Sequence, residues 1–163
     1  MHFRGETPPD VLPVEGGWEN NTKPIHGNTF IAMVVRDNDS WEAISQELQY
    51  PMQSDSTYEF SIALMQSKTH ISPSRLKPDK KVNFNKPTKL RIWGGDSHCN
   101  AIELIGVSPL IKNHDWQKYT FEFNPTQDHK FIIFEAMYDT PYSTPYNGHI
   151  LLDMASTIKK KTK

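Results

Sequence analysis

The sequence predicts an all-β fold, a sandwich or a barrel, on three observations. Short runs of β-type residues recur every 10 to 20 positions, eight in all, each bounded by Gly, Pro, Asn, Asp or Ser. In the clearest of them the apolar residues alternate with period two, the mark of a strand buried on one side, and almost no stretch carries a helical period. The chain has 163 residues, the length of one domain and enough to close a core without metal or disulfide.

The first 28 residues show little regular pattern and are expected to wrap the sandwich. Strands are expected over 29–35, 40–48, 57–66, 88–94, 101–106, 116–123, 130–138 and 149–158. The first contains the longest unbroken apolar run, Phe30 to Val35. The second is ambiguous: Trp41, Ile44 and Leu48 fall at helical spacing behind a possible Ser40 cap, so propensity alone favours a helix. In the third, Tyr58, Phe60, Ile62 and Leu64 share one face and Glu59, Ser61 and Ala63 the other. Residues 67–87, with three prolines, are read as the longest loop. Over 88–94, Leu90 and Ile92 take one face, Arg91 and Trp93 the other; over 116–123, Tyr119, Phe121 and Phe123 point inward. Tyr138, Tyr142 and Tyr146, stiffened by Pro141 and Pro145, form a loop too polar for the core. The terminal Lys159-Lys160-Lys161-Thr162-Lys163 reads as a solvated end, giving one domain over 1–158 and a basic tail over 159–163.

Composition narrows the function. Lys and Arg number 18 against 19 Asp and Glu, without the basic footprint that phosphate backbones require, so nucleic acid is not an expected partner. No apolar run approaches the roughly 20 residues of a membrane helix, and the start has no signal-like apolar stretch, which suits a cytoplasmic protein or a trimmed, mature segment. The motifs of serine hydrolases, zincins, P-loops and dinucleotide folds are missing. The seven histidines lack metal-ligand spacing, and Gly94-Gly95 reads as a strand end entering a turn. Cys99 reads as an inert loop cysteine, as half of a disulfide with an upstream partner, or as an activated thiol beside His98.

What remains is a strand face on which carboxylates, guanidinium and indole occur together. Sugar rings offer an apolar CH face to aromatic rings and hydroxyls to amide, carboxylate and guanidinium groups. The candidate ligand residues are therefore Arg91, Trp93, Glu59 and Glu135 on strands, with Tyr142 and Tyr146 in the aromatic loop; Glu122 joins the strand carboxylates. The alternative is a merely solvated face. Trp18, Trp41 and Trp116 are expected to pack in the core or at its rim.

Three stretches resemble the galactose-binding-like jelly rolls among family 4, 16 and 22-type carbohydrate-binding modules: 27–36 with its small-residue start; 41–48 leading to Tyr58-Glu59-Phe60-Ser61; and 148–156, where Asp153 interrupts the closing strand. The segments 5–11 and 90–95, with Cys99 and Glu103-Leu104, look like secreted surface modules of gliding Bacteroidota, in which a second Cys often lies upstream. The resemblance implies a two-sheet jelly-roll β-sandwich of galactose-binding type and turns 40–48 into a strand. It also implies a structural calcium ion held by Asp153, Glu6 and carbonyls near Asn28 and Thr29, against the simpler possibility that Asp153 bonds to backbone amides. The function expected is non-catalytic binding of a glycan or polysaccharide, extracellular or at a cell surface, with other domains of a larger surface protein as further partners and no insertion into membrane. The alternatives are a structural or adhesive protein-interaction sandwich and, third, a glycoside hydrolase.

Overall fold

The computed structural model describes residues 2–4, 7–139 and 144–161, for 2–4 the backbone path alone. Among the described residues the chain forms strands and no helix: β1 (His2–Arg4), β2 (Asp10–Leu12), β3 (Phe30–Val35), β4 (Ala43–Met52), β5 (Tyr58–Met65), β6 (Ile71–Pro73), β7 (Lys81–Asn83), β8 (Lys89–Gly95), β9 (Ala101–Val107), β10 (Gln117–Phe123), β11 (His129–Met137), β12 (Gly148–Asp153) and β13 (Lys159–Lys160). One sheet runs β1-β4-β11-β8-β9, the other β10-β5-β12-β3-β2 with β13 also on β5, and β6 pairs with β7 as a separate ribbon. Every strand pairing is antiparallel, and the two sheets make a jelly-roll sandwich.

The alternating residues meet between the sheets. Tyr58, Phe60, Ile62 and Leu64 of β5, with Phe121 and Phe123 of β10, face Leu90 and Ile92 of β8 and Ile132 and Phe134 of β11. Phe60 stacks on Phe134 with ring centroids 5.5 Å apart. On the outer side of the second sheet, Phe30, Ala32, Met65 and Leu151 are covered by Leu12, Trp18 and Trp116, and Trp41 packs on the central core. All three tryptophans expected to pack do so. Gly94 and Gly95 lie within β8, where a Cβ would meet the His129 ring at 2.3 Å and the Asn100 carbonyl at 2.4 Å.

Several expectations are corrected. The first 28 residues supply β1 and β2, short strands held by sheet pairing more than by propensity. The expected loop 67–87 contains the β6–β7 ribbon. The closing strand expected over 149–158 ends at Asp153; the chain then bulges along β5, tied by Ser156 N–H donating to the Ser61 carbonyl, and resumes as β13. Lys159 and Lys160 are thus paired with Glu59 and Tyr58, not frayed. Tyr138 is core, 3% exposed, with its hydroxyl donating to the Arg36 carbonyl, and burial pushes its phenol up to about 12.

Candidate functional site

The outer face of the five-stranded sheet is built from residues that alternate with the core set. Register across β9, β8, β11 and β4 sets Val107, Arg91, Glu135 and Ala43 in one row and Leu104, Trp93, Ile133 and Ser45 in the next. Three of the expected ligand residues therefore come together. The Trp93 indole donates to Glu135 Oε2 at 2.6 Å, and Arg91 donates to the same oxygen from Nε and from Nη2, each at 2.9 Å. The Arg91 guanidinium lies 5.2 Å from the centre of the Trp93 rings, a cation–π contact that fixes both side chains. All three donors converge on Oε2, so Oε1 is left for an outside donor; among the described residues no side chain or amide bonds to it.

The surroundings are apolar. Leu104 and Val107 are 44% and 45% exposed beside Trp93 and Arg91, while Trp93 also packs on Ala43, Phe131 and Ile133. His98 closes the far end edge-on to Phe131, and the Cys99 N–H donates to Ser45 Oγ at 3.2 Å. Trp93 is thus a wall more than an open platform. Leu104 and Val107 share this face only because pairing slips between Ile92 and Trp93, a bulge that no count of alternation reveals.

The other expected ligand residues lie elsewhere. Glu59 sits on the exposed outer face of the second sheet, opposite Glu122, which bonds to Lys161 at 2.6 Å. Tyr146 is a packing residue: its hydroxyl donates to the Pro87 carbonyl and accepts the Asp139 N–H, and its ring meets Tyr138 edge-on at 5.1 Å. Tyr142 and Glu6 are outside the described residues. Among the described residues Glu135 therefore lies on a different sheet from Glu59 and Glu122, which stand opposite each other on β5 and β10.

The donor set near Asp153 fits backbone capping better than calcium. Oδ2 accepts the N–H groups of Ile25 at 2.8 Å and His26 at 3.2 Å, and Oδ1 that of Met154 at 2.6 Å. Among the described residues no three His, Cys, Asp or Glu side chains cluster to hold a metal. Asn28 and Thr29 are exposed. Asp153→Ala is expected to cost about 1–2 kcal/mol, equally in calcium and in chelator. Melting curves that show a calcium-dependent rise in the parent and none in the variant would restore the ion.

Further buried polar groups lie outside this face. Glu42, 1% exposed, accepts from Arg36 and Thr7 on Oε1 and from the Val34 N–H on Oε2; burial, countered by Arg36, pushes it up to about 7. His149 and His70 stack at 4.6 Å beneath Trp18, and burial holds them down to about 4 and about 3.

Neither a protein-family model nor a curated protein sequence matches the chain. Solved structures do match in fold. The CBM22-1 xylan-binding domain of Paenibacillus barcinonensis Xyn10C superposes with TM-score 0.54 at 12% identity, over 97% of this chain and 85% of that one. The CBM22-1-GH10 modules of Clostridium thermocellum Xyn10B, complexed with xylohexaose, give 0.50 at 14% identity, over 94% of this chain and 25% of that one. The enzymatically active domain of bacteriophage CBA120 tailspike protein 4 gives 0.53 at 10% identity, over 98% of this chain and 19% of that one. This chain thus spans a quarter or less of the latter two, and at such identities the likeness is one of fold.

Proposed function

We propose that this sandwich is a non-catalytic carbohydrate-binding module, acting at a cell surface or outside the cell, and that it holds a glycan on the outer face of its five-stranded sheet. The observation that carries the reading is Glu135, whose Oε2 is saturated by Arg91 and Trp93 while Oε1 is left to accept. Sugar hydroxyls donate to Oε1 and accept from the remaining Arg91 N–H groups, and the apolar edge of the ring lies on Leu104 and Val107. A locked acceptor costs little ordering on binding. The fold likeness to a xylan-binding domain supports trying xylan first.

Affinity electrophoresis through gels containing xylan and other soluble polysaccharides tests this. The parent is expected to be retarded by at least one of them, and Glu135→Leu and Leu104→Asp to weaken retention about tenfold, roughly 1.4 kcal/mol each. Leu104→Asp should move the melting temperature by only a few degrees, because Leu104 is 44% exposed, whereas Glu135→Leu takes the buried acceptor from Arg91 and Trp93, lowers it further, and is assayed below its own transition. An unretarded parent across the panel would sink the reading, as would variants that bind like the parent.

A further inference from the structure

A groove of about 780 Å³ opens between the sheets where β4 parts from residues 155–160. Its floor is the inner face of the sandwich itself: Met52, Phe60, Ile132 and Phe134. Glu47 also borders it, but register with Phe131 places Glu47 beside Ala43 and Ser45 on the other face of β4.

One corner differs from the floor. The Tyr58 hydroxyl accepts the Gln53 backbone N–H at 2.8 Å, and the Lys160 ammonium donates to Gln53 Oε1 at 3.2 Å. Two acceptors in that corner are therefore already engaged. What remains to meet a ligand are donors: the Tyr58 O–H, the other Lys160 hydrogens and the Gln53 amide hydrogens. The neighbouring lysines have carboxylates close by, since Lys161 bonds to Glu122 and Lys159 stands opposite Glu59. Among the described residues Lys160 has no carboxylate partner, so the corner is positively charged.

We propose that this groove binds one long-chain carboxylate, its alkyl body along Phe60 and Phe134 and its head in the donor corner against Lys160 and Tyr58. The volume falls in the usual range of small-ligand sites, and an apolar floor with a few polar groups at one end suits an amphipathic molecule. Gln46, Gln49, Ser156 and Thr157 also line the groove, but the floor of Met52, Phe60, Ile132 and Phe134 offers a saccharide's hydroxyls no partner. An alcohol of equal length fills the floor but leaves the Lys160 charge unanswered.

The test titrates the full chain with 11-(dansylamino)undecanoic acid and displaces it with dodecanoate, dodecan-1-ol and xylohexaose, all below micellar concentrations. Saturable one-to-one binding is expected, with dodecanoate displacing at least tenfold better than the alcohol and xylohexaose not displacing. Lys160→Met should erase the preference for acid over alcohol and leave the alcohol's affinity unchanged; Lys160 is exposed, so the variant folds. Tyr58→Phe should weaken the acid severalfold. Three results would overturn the proposal: no saturable binding, equal affinity for acid and alcohol in the parent, or displacement by xylohexaose, which would give the groove to a glycan. The proposal is independent of the glycan reading, because polysaccharide retention is altered at Glu135 and Leu104 and fatty-acid binding at Lys160, so each can fail alone.

Discussion

Glu42→Ala is expected to cost about 3–5 kcal/mol of unfolding free energy. The substitution removes the partner of Arg36, which is 4% exposed and whose Nη1 already has no acceptor among the described residues. Among the described residues Arg36 would keep the Thr7 hydroxyl, at 2.6 Å, as hydrogen-bond acceptor and the half-buried Asp10 as a nearby charge, and together these do not replace the lost hydration of a buried guanidinium. The Val34 N–H and Thr7 O–H lose their acceptor in the same step, so the contact that ties the segment before β2 to the core goes with it. The double variant Arg36→Met/Glu42→Leu replaces both charges with apolar groups of similar bulk and is expected to regain most of the loss. Urea unfolding at pH 7.5 measures both. A single variant within about 1 kcal/mol of the parent, or a double variant no better than the single, would show that the pair is not held as described.

This ion pair was not legible in the sequence, whereas the faces of β5 were. Tyr58 to Leu64 alternate cleanly because β10 pairs with β5 in unbroken register over this whole stretch, so period two survives into the structure. β4 does not behave so. Glu47 pairs with Phe131 and Met52 with His129, five steps of β4 against two of β11, so the strand bulges, and Trp41, which bridges Val35 ahead of β4, stands three residues before Ile44, the step that mimics a helix. Only the resemblance, not the pattern, made β4 a strand. The Arg91, Trp93 and Glu135 grouping was half visible: alternation put Arg91 and Trp93 on one face, but nothing local says that β11 lies beside β8. Arg36 and Glu42 flank the turn in which the Arg36 N–H donates to the Ser40 carbonyl, and two charges around a polar turn read as solvated. Their burial depends on Thr7 and Tyr138 arriving from two other parts of the chain. Tyr146 was misread for a related reason, since a tyrosine with two backbone partners and a tyrosine awaiting a ligand look alike in sequence.

Below about pH 6.5 the protein is expected to lose stability, with the buried pair His149 and His70 as the cause. His149 is fully buried; its Nε2 accepts the Ser67 N–H at 2.9 Å, so the ring proton is on Nδ1 and is donated to the Phe84 carbonyl at 2.6 Å. A second proton would face the Ser67 N–H, remove that bond and place a charge 4.6 Å from the His70 ring. Burial therefore holds His149 down to about 4, the Phe84 carbonyl pulling the other way. Because the folded value is below the unfolded 6.5, the unfolded chain takes up the proton first, and stability is lost as pH falls from 6.5 to about 4, after which His149 adds no more. A gap of that size corresponds to a loss on the order of 3 kcal/mol. His70, held down to about 3 by burial and by His149, adds in the same direction. Glu42 opposes them: raised from 4.5 to about 7, it favours the folded state toward acid and loses that contribution as pH rises through 7. His149→Gln separates these contributions, since its amide cannot titrate. The variant should be weaker than the parent at pH 7.5, and the difference should shrink by roughly 3 kcal/mol as urea midpoints are followed down to pH 4. Parallel curves for parent and variant across that range would mean that His149 is not buried neutral as its partners require.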